Sequence, residues 1–275
     1  MPVRTDHAAI FHDLHRGPDL LVLANVWDGG SARLVESLGA RALATTSAGV
    51  AWAHGYPDGD ALPVDRLAET VALIARVSSL PLTADVEGGY SDDPASVAGM
   101  IARVVDAGAV GINIEDGTGS PDLLAAKIGA AKEAARRLGV DLFVNARTDV
   151  FLRGLVAEEA RIEETLARAA RYRAAGADGL FVPGILAPAD IRTVAAEAGL
   201  PLNVLARPGV PPAAELAALG ARRLSAGSGV LQSLFGRAAA LTRDFLRDGR
   251  SDPLADGAMS HAQINALFGP GPNRP

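Results

Sequence analysis

Residues 80–94, LPLTADVEGGYSDDP, decide the fold. An apolar, strand-like run ends with acids two residues apart and then meets two glycines. Successive side chains on a strand point to opposite faces, so Thr83, Asp85 and Glu87 share one face and Leu82, Ala84 and Val86 the other. The same phase recurs in LATTS (43–47), GINIED (111–116) and FVNARTD (143–149). There the inward sets are Leu43, Thr45 and Ser47; Asn113 and Glu115; and Asn145, Arg147 and, by extension, Asp149. An apolar face for covering helices and a polar face ending at the strand C-terminus describe a parallel barrel with its site at the C-terminal mouth.

Eight runs of this kind punctuate the chain, at 20–25, 40–47, 80–87, 109–116, 140–148, 177–184, 200–206 and 221–227. Amphipathic segments separate them, among them VDRLAETVALIARVSS (64–79) and EEARIEETLARAARYRAAG (158–176). Several end in glycine just before the next run, the signature of a helix C-cap followed by a strand. Eight strand–loop–helix units connected by crossovers place the strands parallel, and they close most economically as a (β/α)8 TIM barrel. No low-complexity linker divides the chain before about residue 247, so one domain, 1–275, is expected, with an N-terminal helix at 1–18 and a C-terminal helix and tail at 235–275. The short apolar helix on that tail needs a surface to dock on, and a second subunit supplies one.

Composition narrows the function. Against 32 Asp and Glu the chain has 26 Lys and Arg, a net charge of -6, and its cations fall singly or in pairs. That argues against a nucleic-acid groove. No run reaches the length of a membrane span, and the polar N-terminus resembles no targeting peptide, so a cytoplasmic protein is expected. The absence of cysteine removes disulfides, thiolate metal sites and any cysteine acid.

Asp85, Glu87 and Glu115 would repel one another in one pocket, and a hard cation relieves this. Oxygen ligands without Cys or His point to Mg²⁺ or Mn²⁺, held directly by one or two carboxylates and by the others through water. Such an ion grips a 2-oxo acid and stabilises an enolate. Arg147 suits the remaining negative charge with its forked guanidinium. The competing expectation is a structural ion pair between Arg147 and one acid, the other acids being solvated. Ser47, Ala48 and Gly49 offer a hydroxyl and successive N–H groups to a carboxylate. Asp58 either reaches the pocket rim or is a turn residue after Pro57. His54 and Trp52 read as packing or surface groups, and His7, His12, His15 and His261 lie in terminal helices without an evident partner.

Taken together, TTSAG (45–49), ADVEGGYSD (84–92), GINIED, NARTD (145–149), GADGLFVPG (176–184) and PLNVLA (201–206) resemble the isocitrate lyase and phosphoenolpyruvate mutase superfamily across most of the chain. The resemblance implies a barrel whose eighth helix is swapped between subunits of a dimer of dimers. It implies Mg²⁺ on Asp85, with Glu87 and Glu115 acting through water. Ser47, Ala48 and Gly49 would hold the substrate carboxylate and Arg147 its oxygens, with Asp58 nearby. On this resemblance Arg147, Asp58 and Glu115 are the expected catalytic groups, and the substrate a small 2-oxo or dicarboxylic acid. The sequence departs from the family's pattern at two places. Lyases of the family carry a catalytic Cys on the loop after the fourth strand, where this chain has only Lys127 and Lys132. Mutase-type members place a His and a Ser where this chain has Pro183 and Gly184. The second departure argues against a phosphonate mutase. The first favours oxaloacetate decarboxylation, which needs no such acid, over methylisocitrate-like cleavage or oxaloacetate hydrolysis.

Overall fold

Every one of the eight apolar runs forms a strand in the computed structural model, which describes residues 2–269; Met1 and residues 270–275 of the expected terminal segments lie outside the described residues. The strands are β1 (Leu21–Leu23), β2 (Asn25–Val26), β3 (Leu43–Thr45), β4 (Leu82–Asp85), β5 (Gly111–Glu115), β6 (Phe143–Arg147), β7 (Gly179–Phe181), β8 (Leu202–Leu205) and β9 (Arg223–Ser225). All pairings are parallel, in the order β1-β9-β8-β7-β6-β5-β4-β3-β2. The first expected strand is broken at Ala24 into β1, which pairs with β9, and β2, which pairs with β3. Since β1 and β2 are consecutive, this break brings the sheet round into a nearly closed barrel.

The outward residues behave as the alternation requires: Ala84, Val86, Ile112, Ile114, Val144 and Ala146 are buried in the apolar layer beneath the helices. Helix Val64–Val77 turns Leu67, Val71 and Ile74 into that layer, a spacing of three to four that keeps one stripe apolar. Helix Pro94–Asp106 is started by Asp93, whose carboxylate accepts from the N–H groups of Ala95 and Ser96, with a proline in its first turn. Each such cap contributes about 1 kcal/mol.

Helix Pro2–Arg16 closes the N-terminal end of the barrel. Phe11 is fully buried against Gly111 and edge-on to Phe143, the first residues of β5 and β6. His15, for which the sequence offered no partner, stacks on Phe143 with centroids 4.0 Å apart, and its Nδ1 meets the Phe11 carbonyl at 2.8 Å. Burial, reinforced by the charge of Arg223, pulls its pKa down to about 3, so His15 is a neutral plug.

At the other end of the chain, helix Gly229–Asp248 begins six residues ahead of the expected 235 and leaves Leu234, Phe235, Phe245 and Leu246 exposed. The tail carries helices Asp252–Ala255 and His261–Ala266 and returns to the body, where Arg33 Nε donates to the Leu267 carbonyl at 2.7 Å. Among the described residues no helix is long and apolar enough to cross a membrane.

Candidate active site

The C-terminal ends of the strands surround a cavity of about 120 Å³. Ser47, Ala48, Asp58, Asp85 and Arg147, all expected from the sequence, line it together. Asn25, Asn113, Phe181 and Ser225 also line it and were not assigned a role from sequence. Only Asn113 had a signal, its inward phase in GINIED. Asn25 ends an apolar run, and its side chain ties two strands to a loop, donating to the Thr45 carbonyl at 2.7 Å and accepting from the Gly227 N–H at 2.8 Å.

Gly49 does not reach the cavity. The segment expected as an anion nest is the first turn of helix Ser47–Ala53, and Gly49 packs inside it. A Cβ there would lie 2.6 Å from Thr46 Cγ2 and 3.0 Å from Trp27 Cβ, so glycine answers a packing need. His54, expected at the surface or in packing, pairs with Thr70 Oγ1 at 2.8 Å.

Asp85 ends β4 with its backbone N–H donated to Thr45 Oγ1 at 2.8 Å and its Oδ1 accepting the Glu87 N–H at 3.2 Å. Burial raises the pKa of its carboxyl; Arg147 opposes that rise, as do the Glu87 and Ser47 amides, while the Asp58 charge adds to it. Two like charges facing one small cavity leave room for a cation between them.

Arg147 is held by two acids. Its Nη1 lies 2.5 Å from Glu115 Oε2, on the neighbouring strand in register, and it grips Asp149 in a fork, Nε to Oδ1 at 2.7 Å and Nη2 to Oδ2 at 3.1 Å. Burial works against the Arg147 charge, yet Glu115 and Asp149 hold its pKa above the ordinary value. Glu115 moves the other way: burial pushes it up to about 8, Arg147 notwithstanding, with Asp85, Asp149 and Glu87 adding repulsion. The structural ion pair anticipated from sequence is thus formed, most firmly with Asp149, and Arg147 is among the residues that line the cavity. Behind it stands a buried scaffold: Asp116 accepts from the Asp149 N–H at 2.9 Å, Arg168 Nη1 at 2.8 Å and the Tyr172 hydroxyl at 2.6 Å.

Glu87 corrects the expected geometry. The strand ends at Asp85, and Glu87 adopts φ 51°, so the alternation that would have set it beside Asp85 no longer applies. Its carboxylate instead accepts the N–H groups of Gly59 and Asp60 and the Tyr90 hydroxyl at 2.9 Å. Asp60 returns the bond through the Tyr90 N–H at 3.2 Å. Asp60, Glu87 and Tyr90 are the non-glycine residues with positive φ among the described residues, so backbone strain gathers in the clasp that sets the loop carrying Asp58. Glu87 and Glu115 open onto an adjoining cavity of about 400 Å³, not the one lined by Asp85. Lys127 lies there too, but its Nζ is spent on the Gly88 carbonyl at 2.8 Å and Asp92 at 3.2 Å.

Among the described residues no three His, Asp or Glu side chains converge as a ready cage for a cation. The three-acid set Asp85, Glu87 and Glu115 therefore does not meet as direct ligands, because Glu87 serves the loop and Glu115 serves Arg147. What remains, Asp85 and Asp58 lining one cavity, fits a hard cation that takes one or two carboxylates and fills its shell with water and substrate oxygens.

A parallel barrel with acids and a half-buried arginine gathered at its C-terminal mouth is the setting of an enzyme site, and the relatives give its class, the carbon–carbon lyases. The oxaloacetate decarboxylase of Pseudomonas fluorescens (strain SBW25) is 30% identical over 242 residues, covering 82% of this chain and 81% of that one. A solved structure of 2,3-dimethylmalate lyase, a PEP mutase/isocitrate lyase superfamily member, matches with TM-score 0.83 and 28% identity over 96% of this chain and 95% of its own. A candidate phosphonomutase from Burkholderia cenocepacia J2315 matches with TM-score 0.83 and 45% identity over 88% of this chain and 99% of its own. The chain belongs to the phosphoenolpyruvate phosphomutase family, whose model matches residues 11–246, within the superfamily suggested by the sequence.

Proposed function

We propose that this chain is a Mg²⁺-dependent carbon–carbon lyase acting on a small 2-oxo acid, with oxaloacetate decarboxylation as its reaction. The observation that carries this is the cavity in which Asp85, Asp58, Ser47 and Arg147 converge. Asp85, with Asp58 opposite, would hold Mg²⁺ or Mn²⁺, an ion that when bound draws electrons from a keto oxygen and favours the enolate. Ser47, at the start of its helix, orients the substrate carboxylate. Arg147, fixed by Glu115 and Asp149, brings its positive charge to the cavity wall, where it favours developing negative charge. Loss of CO₂ from such a bound oxaloacetate leaves pyruvate enolate, which takes its proton from water. That route suits a chain with no cysteine and with Lys127 committed elsewhere.

The likeness to a candidate phosphonomutase supports a second reading, phosphonate chemistry, against which Pro183 weighs: it lines the cavity where mutase-type relatives are expected to have a polar group. Proton NMR separates the possibilities. Incubation with Mg²⁺ and oxaloacetate gives pyruvate from a decarboxylase and oxalate with acetate from a hydrolase. Methylisocitrate gives pyruvate with succinate from an aldol-type lyase. With phosphonopyruvate, ³¹P spectra report phosphoenolpyruvate from a mutase. Mg²⁺-dependent stabilisation by oxo acids with no product from any substrate identifies a binding protein instead. The exposed face of helix Gly229–Asp248, with Leu234, Phe235, Phe245 and Leu246, supports a homo-oligomer, and we read it, by the family resemblance alone, as a dimer of dimers that exchanges this helix.

A further inference from the structure

Arg223 is fully buried inside the barrel, on β9 between β1 and β8. Its Nε donates to Ser225 Oγ at 3.0 Å, and its Nη2 reaches across the barrel to Asn113 Oδ1 at 3.4 Å. Its Nη1 has no hydrogen-bond partner among the described residues, and no carboxylate there lies within ion-pair distance of it. Below it sits the neutral His15 plug, which relieves nothing of its charge. Above it, Asn113 and Ser225, the two side chains it holds, line the cavity that contains Asp85 and Arg147. Burying a cation without a paired anion is costly, and an apolar side chain of similar volume is often the more stable choice. A barrel interior that keeps an arginine here under a site for anions has a use for the charge.

We infer that Arg223 is a positioning residue: its buried charge draws the anionic end of a bound substrate onto the floor made by Asn113 and Ser225, and its hydrogen bonds fix that floor. The inference rests on the proposed oxo-acid site, and it deepens it by assigning the site a second cation, one that never touches the ligand. Burial pulls the Arg223 pKa down only to about 9, with Asp85 acting to raise it, so the charge persists at neutral pH.

The test uses the full chain and two probes, oxalate in the presence of saturating Mg²⁺ and Mn²⁺ alone, both followed by calorimetry. Arg223→Gln keeps a hydrogen-bonding end and removes the charge. It is expected to weaken oxalate binding by roughly tenfold or more and to tighten Mn²⁺ binding, since one positive charge beneath both has gone. Loss of packing alone would weaken both together. An oxalate affinity within twofold of wild type, or parallel weakening of both probes, overturns the inference. If the Gln variant does not fold, Arg223→Met is read the same way, and failure of both to fold assigns Arg223 to the scaffold and overturns it. No oxalate binding by the wild type also overturns it, whereas oxalate binding without turnover of oxaloacetate counts against the proposed reaction and leaves the role of Arg223 to be read from the binding shifts.

Discussion

Arg147 and Asp149, two residues apart at the end of β6, meet in a two-pronged ion pair, with Asp149 fully buried and also accepting Arg153 Nε at 2.7 Å. Asp149 therefore fixes an arginine that lines the cavity at the barrel mouth. Truncating it in Asp149→Ala breaks a largely buried ion pair and leaves Arg147 with Glu115 alone, and the expected cost is about 3 kcal/mol of unfolding free energy. Turnover should fall by about a hundredfold through misplacement of Arg147. Urea denaturation and steady-state kinetics measure the two effects. Unchanged stability would show that Arg147 is held by Glu115 alone.

Asp85 is the opposite case, a carboxylate kept where burial disfavours its charge. Asp85→Asn removes that charge and preserves the shape. The variant is expected to be at least as stable as the wild type in the absence of metal and to lose nearly all turnover. Calorimetric melting without Mg²⁺ checks the stability. A clear drop in melting temperature would mean that Asp85 is chiefly a structural residue.

The raised carboxyls at the mouth also give the metal-free protein a definite pH dependence. Glu115 has a folded-state pKa of about 8 against an ordinary 4.5, and Asp85 is displaced in the same direction. The folded state then binds more protons than the unfolded one between those limits, so stability is lost as pH rises from about 5 to 8. A bound divalent cation favours the ionised acids. Stabilisation by Mg²⁺ should accordingly grow over the same interval, and melting curves at pH 5, 6.5 and 8 with and without Mg²⁺ report it. A Mg²⁺ effect that does not change with pH would contradict this account.

The Asp116 scaffold predicts a stability effect well away from the chemistry. Tyr172→Phe deletes a hydroxyl that donates to a buried carboxylate at 2.6 Å, and hydrogen bonds to charged groups contribute about 1.5–3 kcal/mol. A loss of about 2 kcal/mol is expected with turnover changed less than about threefold, because Arg168 still holds Asp116. A large loss of turnover at unchanged stability would place Tyr172 in the site itself.

What the sequence made legible follows from periodicity. Alternation over PLTAD, GINIE and FVNAR placed Asp85, Asn113 and Arg147 on one inner surface, and the structure gathers them at one cavity. The eight runs marked the eight barrel positions, the first of them split at Ala24. Periodicity stops where strands stop. Glu87 lies two residues past β4 with a left-handed backbone, so its direction is set by the amides of Gly59 and Asp60, 28 and 27 residues away in the chain. Asp149 is a similar case, since its burial depends on Arg153 and Arg147 folding around it. Arg223 and His15 stayed silent because a charge or an imidazole inside a barrel carries no local pattern. Their placement comes from closure of the whole sheet over the N-terminal helix.

The central claim is that Asp85 and Arg147 form one site for Mg²⁺-dependent breakage of a carbon–carbon bond in a 2-oxo acid. The most direct measurement is the rate of pyruvate formation from oxaloacetate by purified wild type and Asp85→Asn, each with Mg²⁺ and with chelator, corrected for the enzyme-free rate. The account predicts pyruvate formation by the wild type with Mg²⁺, and a return to the enzyme-free rate with chelator or in the variant. Pyruvate formation that survives both chelation and Asp85→Asn would contradict it.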